Sequence, residues 1–165
     1  MLTSTDLKQF FNEDDSFEQN GKMIYLVPLK EFMKTEEFAS FSPVSRKDTN
    51  ETTGETKITK CQFLNSSAWT DVYPHMIIEK NKSEKTIKYV DLDEKAVGGE
   101  FPNIEYEIMV RVNEDGSLNR DFVREVKKGR FKNKEGKFVD TWYYKNGCEH
   151  FGPVEYPRYY RDPSF

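Results

Sequence analysis

Apolar positions along this chain follow two rhythms, and their order predicts a mostly β molecule with short helices near its start. Leu7, Phe10 and Phe11 stand at i, i+3 and i+4, one face of a helix over 4–11, with Ser4, Thr5 and Asp6 available to cap its first turn. An acidic stretch of Glu13, Asp14, Asp15 and Glu18 leads to Asn20-Gly21, which reads as a turn. The apolar run at 23–27 predicts a strand ending before Pro28. Leu29, Phe32 and Met33 then repeat the helical spacing, predicting a second short helix over 30–38. From 42 to 56 the chain is rich in Ser, Thr, Asn and Asp. It has too little apolar surface there to offset the cost of ordering, so an exposed, mobile loop is expected.

Strand signals dominate the remainder. Runs at 76–80 and 85–91 flank 81–84 as a hairpin. Over 104–112, Ile104, Tyr106, Ile108, Val110 and Val112 alternate with Glu105, Glu107, Met109 and Arg111, so one face is expected to be dry and the other mostly wet. Asp115-Gly116 ends that strand. Further strands are predicted at 122–126, 129–133 and 137–145, separated by Lys127-Lys128 and Glu135-Gly136 and closed by Asn146-Gly147, a dipeptide suited to a type I′ turn. The fold class expected is α+β, mostly β. It is an antiparallel meander with one or two short N-terminal helices, in one domain over 1–165, with an extended C-terminal tail at 153–165.

Composition modifies this picture in three ways. Only 36 % of the 165 residues are hydrophobic, but 15 % are aromatic, so rings must supply much of the core. No window approaches the ~20 apolar residues of a membrane span, and 1–12 lacks the basic and apolar regions of a secretion signal; a cytoplasmic protein with no membrane contact is expected. Cys61 and Cys148 are then expected as free thiols. Alanine occurs only at 39, 68 and 96 while Lys, Glu, Asn, Phe and Tyr abound, a bias that suits a phage, a virus or a low-GC bacterium.

Charge is unevenly spread within the overall −4. Residues 1–119 carry 14 basic and 22 acidic side chains, a net of −8, whereas 120–147 carry nine basic and four acidic ones, a net of +5. Lys127, Lys128 and Arg130, interleaved with rings such as Trp142 and Tyr143, could hold single-stranded nucleic acid, cations on phosphates and rings on bases. A lysine-rich solvent face that blunts edge pairing would look the same. The tail adds Arg158, Tyr159 and Tyr160, residue types that recur at binding hot spots, and self-packing of that tail is the favoured reading.

Two short segments resemble known families. The stretch Trp142-Tyr143-Tyr144-Lys145-Asn146-Gly147-Cys148-Glu149-His150-Phe151-Gly152-Pro153 resembles, as a single copy, the MORN-like hairpin repeats of bacterial and viral antitoxin-type proteins. That resemblance implies a structural or interaction role and no catalytic residues. The octet from Ser4 to Phe11 resembles a sliding-clamp-binding peptide, with Ser4 where the leading Gln stands. That likeness implies docking of Leu7, Phe10 and Phe11 on a partner. The same spacing serves an amphipathic first helix packed on its own sheet, which is the expected use.

Catalytic signals are sparse. Cys148-x-His150 with Cys61 and His75 lacks the paired spacing of structural zinc sites, and a Cys nucleophile with either His is only formally available. Asp91 and Asp93 with Glu79 could serve a metal-dependent hydrolase. No catalytic residue, metal ligand or cofactor is assigned. The leading expectation is a non-enzymatic macromolecule-binding protein, a phage or viral accessory that modulates a host protein. Nucleic-acid binding through 120–147 and metal-dependent hydrolysis are the alternatives.

Overall fold

The structure, a computed structural model, describes residues 1–132, 134–146 and 149–163, with the side chains of 131, 138–143 and 146 outside that description. Its strands form antiparallel sheets and its helices are short, as the mostly β reading requires. Among the described residues no helix is long and apolar enough to cross a membrane.

The chain opens with two 3₁₀ turns, Thr5–Phe10 and Glu13–Asp15. Strands β1 (Ser16–Gln19) and β2 (Lys22–Pro28) follow, joined at Asn20-Gly21, where both residues take the positive φ of a tight hairpin. The single helix expected over 30–38 is instead two four-residue helices, α1 (Leu29–Phe32) and α2 (Glu36–Ala39). Thr35 divides them. Its hydroxyl donates to the Phe32 carbonyl at 2.6 Å, while its side chain accepts from the Phe38 N–H at 3.2 Å and caps α2.

A ribbon of β3 (Val44–Thr49) and β4 (Thr56–Cys61) comes next, where a mobile loop was expected over 42–56. Only Val44 and Cys61 are buried in it, so cross-strand pairing, without an apolar face, organises most of its length. Strands β5 (Phe63–Ala68), β6 (Asp71–Lys80), β7 (Thr86–Asp91), β8 (Asp93–Glu100) and β9 (Asn103–Val112) then run as successive antiparallel neighbours, except that β7 and β8 lie in different sheets. The chain ends with β10 (Arg124–Lys132), β11 (Phe138–Asn146) and β12 (Glu149–Val154). The break predicted at Lys127-Lys128 is absent; a register shift between Lys128 and Arg130 keeps β10 one strand.

Six strands, in the order β10-β11-β12-β5-β6-β7, close into a barrel, and β1-β2-β9-β8 form a separate four-stranded sheet. Leu64, Ile77, Ile87, Tyr89, Val126, Tyr144 and Phe151 fill the barrel, as side chains do in small closed sheets. A second core joins Phe63, Met76, Ile78 and Val90 from the barrel strands to Val27, Ile108, Val110 and Val112 from the sheet. Leu7, Leu29 and Phe32 belong to the same core. Strand β6 therefore serves both cores: its segment from Pro74 to Ile78 is continuously buried, and strand alternation sends Ile77 into the barrel and Met76 and Ile78 into the second core.

Candidate functional site: the barrel mouth and the tail groove

Three consecutive strands carry a linked set of polar side chains to one mouth of the barrel. Register sets His75 directly opposite Asp91 and diagonal to Ser66, whose neighbour Leu64 is His75's own partner on β5. The His75 ring is buried, edge-on to Tyr89 and to Phe151 with centroids 5.1 Å away in each case. Both of its nitrogens are engaged: Nδ1 lies 2.7 Å from Asp91 Oδ1 and Nε2 lies 2.6 Å from Ser66 Oγ. An ionised Asp91 only accepts, so Nδ1 carries a proton; when the ring bears no second proton, Nε2 accepts from the Ser66 hydroxyl.

Electrostatics favour that ionised state. Partial burial pushes the Asp91 carboxyl up, but the hydrogen bond and electrostatic pull of the His75 ring, together with the charges of Arg124 and Arg111, outweigh it and hold the group below the usual carboxylate range. Arg124 lies 3.7 Å from Asp91 Oδ2, and Arg111 forms a forked pair with Asp93 at 2.6 and 2.9 Å. Ser66, His75, Asp91, Arg111, Arg124, Tyr73 and Phe151 all border a cavity of about 330 Å³. Asp91, Arg111 and Arg124 also border an adjoining hollow of about 270 Å³ reaching Leu118 and Phe122.

The second feature is a groove along the C-terminal tail. Residues 156–163 strap across the molecule: Tyr160 exchanges backbone hydrogen bonds with Val72 at 2.7 and 2.9 Å, and the Thr70 hydroxyl donates to Asp162 at 2.7 Å. Arg158 N–H donates to Asn65 Oδ1 at 2.9 Å. The Tyr159 ring bridges Tyr73 of β6 and Tyr106 of β9, at 6.2 and 4.7 Å between centroids. Between strap and β8–β9 hairpin lies a groove of about 610 Å³ bordered by Phe101, Ile104, Tyr106, Tyr159 and Tyr160. A neighbouring hollow takes in Val97, Tyr156 and Pro157.

The residues singled out in the sequence separate accordingly. Leu7 is fully buried, and Phe10 and Phe11 pack on the same core, with Phe11 stacked on Tyr25 at 4.0 Å; the docking helix is spent on the protein's own interior. Tyr159 and Tyr160 do gather in the strap, with Arg158 beside them. Lys127 and Arg130 are exposed on β10 and Lys128 is half-buried, while the side chains of Trp142 and Tyr143 lie outside the described residues. Strands β11 and β12 do pair as a hairpin, through Tyr144↔Phe151 and Lys145↔His150; Gly147 and Cys148 at its turn are likewise outside the description. The carboxylates suggested for a metal are each engaged by side chains of the protein: Asp91 by the His75 ring and Arg124, Asp93 by Arg111, Glu79 by Lys88 at 3.7 Å. Among the described residues no three His, Cys, Asp or Glu side chains group as metal ligands. Ser66 was not anticipated at all. Compared with known proteins, the chain matches no family model, no curated protein and no solved structure.

Proposed function

We propose that this is a binding protein that grips an extended segment of another protein along its C-terminal strap. The observation that carries this reading is where the exposed apolar surface lies. Of eleven large apolar side chains exposed among the described residues, seven surround the strap: Trp69, Tyr73, Val97, Phe101, Ile104, Tyr156 and Tyr160. Trp69, 96 % exposed, sits at the tip of the β5–β6 hairpin, beside the Thr70 that bonds the strap. Concentrated exposed rings of this kind mark interaction surfaces, and an extended peptide fits a groove walled by aromatic rings. The alanine-poor composition suits a phage or viral accessory, for which the gripped segment would belong to a host protein.

A triple substitution Trp69→Ser, Phe101→Ser, Tyr160→Ser tests the reading. All three side chains are exposed, so the fold is expected to survive and the thermal midpoint to move little. Proteins retained from host lysate by the parent and lost by the triple variant, but kept by a Lys127→Glu variant, are the expected result. Identical retention by parent and triple variant would refute it.

Nucleic-acid binding is a second reading with its own observation. Lys127 and Lys145 are direct cross-strand partners, both exposed, and like charges so placed repel. A polyanion would relieve that repulsion. Affinity for single strands that falls steeply with salt, and falls again on charge reversal at Lys127, Lys128 and Arg130, would support it.

A further inference from the structure

We propose that Ser66, His75 and Asp91 act as a nucleophilic triad that hydrolyses compact carboxylic esters at the barrel mouth. The order of contacts is the one acyl transfer requires: a carboxylate accepting from Nδ1–H, an imidazole whose Nε2 is left basic, and a hydroxyl donating to that nitrogen, at 2.7 and 2.6 Å. The base and the carboxylate are both held in place. His75 is clamped edge-on by Tyr89 and Phe151, and Asp91 is held by Arg124. The hydroxyl is also reachable, because Ser66 borders the 330 Å³ cavity. That volume, walled in part by Tyr73 and Phe151, suits a short acyl group.

In the first step Ser66 Oγ bonds to the ester carbonyl carbon while its proton passes to His75 Nε2 and the carbonyl electron pair moves onto oxygen. Strand β5 pairs with β6 on one side and β12 on the other, so its backbone N–H groups are committed to ladders; the guanidinium of Arg124, which borders the same cavity, is the donor for that oxyanion. Collapse breaks the carbon–oxygen bond to the leaving group, which takes the proton from His75 and departs as an alcohol. Water repeats the sequence on the acyl-serine, giving a carboxylic acid and restoring the Ser66 hydroxyl. Ester and water become acid and alcohol, with nothing else consumed.

The experiment treats the full-length protein with a fluorophosphonate probe, maps any adduct by peptide mass spectrometry, and follows hydrolysis of p-nitrophenyl acetate in parallel. The expected result is an adduct on Ser66, turnover that Ser66→Ala abolishes, and a roughly 10²–10⁴-fold lower kcat for Asp91→Asn, whose imidazole is held in the wrong tautomer. A merely structural hydrogen-bond chain leaves Ser66 unreactive. Absence of the Ser66 adduct on folded wild-type protein therefore overturns the proposal, whatever the variants do. So does equal turnover by wild type and a folded Ser66→Ala variant.

Discussion

Tyr144 allows the packing of the barrel to be tested through pH. Its ring is buried in the barrel core, and its hydroxyl donates to the Glu84 carbonyl at 2.6 Å, tying β11 to the turn between β6 and β7. Substitution Tyr144→Phe keeps the ring but leaves that carbonyl short of a donor, which costs about 1–2 kcal/mol near neutral pH. The cost then shrinks in alkali. Burial, with smaller contributions from Glu84 and Cys61, pushes the Tyr144 phenol far above an ordinary tyrosine. The folded state therefore keeps the proton that the unfolded chain begins to release at about pH 10. A group raised in this way contributes its full stability below the unfolded value and loses it as pH climbs toward the folded one. At pH 11 the unfolded tyrosine is favoured by RT ln(1 + 10), about 1.4 kcal/mol, a penalty the phenylalanine variant does not share. The stability gap between parent and variant is thus expected to fall from about 1–2 kcal/mol at pH 8 to near zero at pH 11. The other titrating groups are common to both proteins and cancel. Urea midpoints at pH 8, 9.5, 10.5 and 11, taken with an unchanged m-value, measure the gap directly. A gap that stays level or widens over that range would show that Tyr144 is not a buried, proton-retaining phenol, and with it the barrel interior described above would fail.

Two further outcomes are expected. Gly116 has a φ of 86°, and a β-carbon there would overlap the Ser4 carbonyl oxygen. Gly116→Ala must both accept a left-handed backbone, at about 1–2 kcal/mol, and displace the segment that seats Leu7. A loss of at least about 3 kcal/mol in denaturant is expected, since a buried Leu is itself worth roughly 1.5–3 kcal/mol. Gly136→Ala, with a similar φ of 78° and open space around it, is the control and should show only the backbone cost. Burial also pushes the Cys61 thiol up and closes it off, so native alkylation of the Cys61 peptide is expected to be slower by about 100-fold or more than in denaturant.

Much of the fold was legible where a local rule applied. Asn20-Gly21, Asp115-Gly116 and the alternation over β9 announced turns and strands that the structure contains. Alternation could not say how far burial extends, however. Ile104 at the start of β9 is exposed while Val110 and Val112 are fully buried, and Met109, on the face expected to be mostly wet, is buried as well. The exposed end of β9 is the wall of the tail groove, so the failure of the dry-face reading falls on the proposed binding surface. The β3–β4 ribbon was missed because a strand held by its ladder alone carries no apolar signature; its positions 45–49 are all polar. Barrel closure was missed too. It depends on β12 finding β5 and β10 finding β7, pairings between segments some ninety and forty residues apart that no local pattern encodes.

The barrel mouth was hidden by a single-residue offset. Taking 81–84 as a four-residue turn pairs Lys80 with Lys85, and counting back along the ladder places His75 opposite Val90. That register would turn Asp91 away from the imidazole, because a one-residue slip reverses which face each side chain meets. The structure instead pairs Lys80 with Ile87, then takes up one more residue in a bulge between Ile77 and Glu79, and only this combination brings His75 opposite Asp91. The bulge sits where β6 is packed on both faces, with Ile77 in the barrel and Ile78 in the second core. Ser66 then needs one further condition, the tight turn at Trp69-Thr70 that sets Leu64 opposite His75 and leaves the serine diagonal to the ring. An arrangement that demands a bulge, two specific turn lengths and a closed barrel cannot be read from residues spaced nine and sixteen apart. The geometry of the Ser66–His75–Asp91 chain therefore depends on the register of β6 against both of its neighbours. Substitutions that shift the β6 bulge should break it without touching any of its three members.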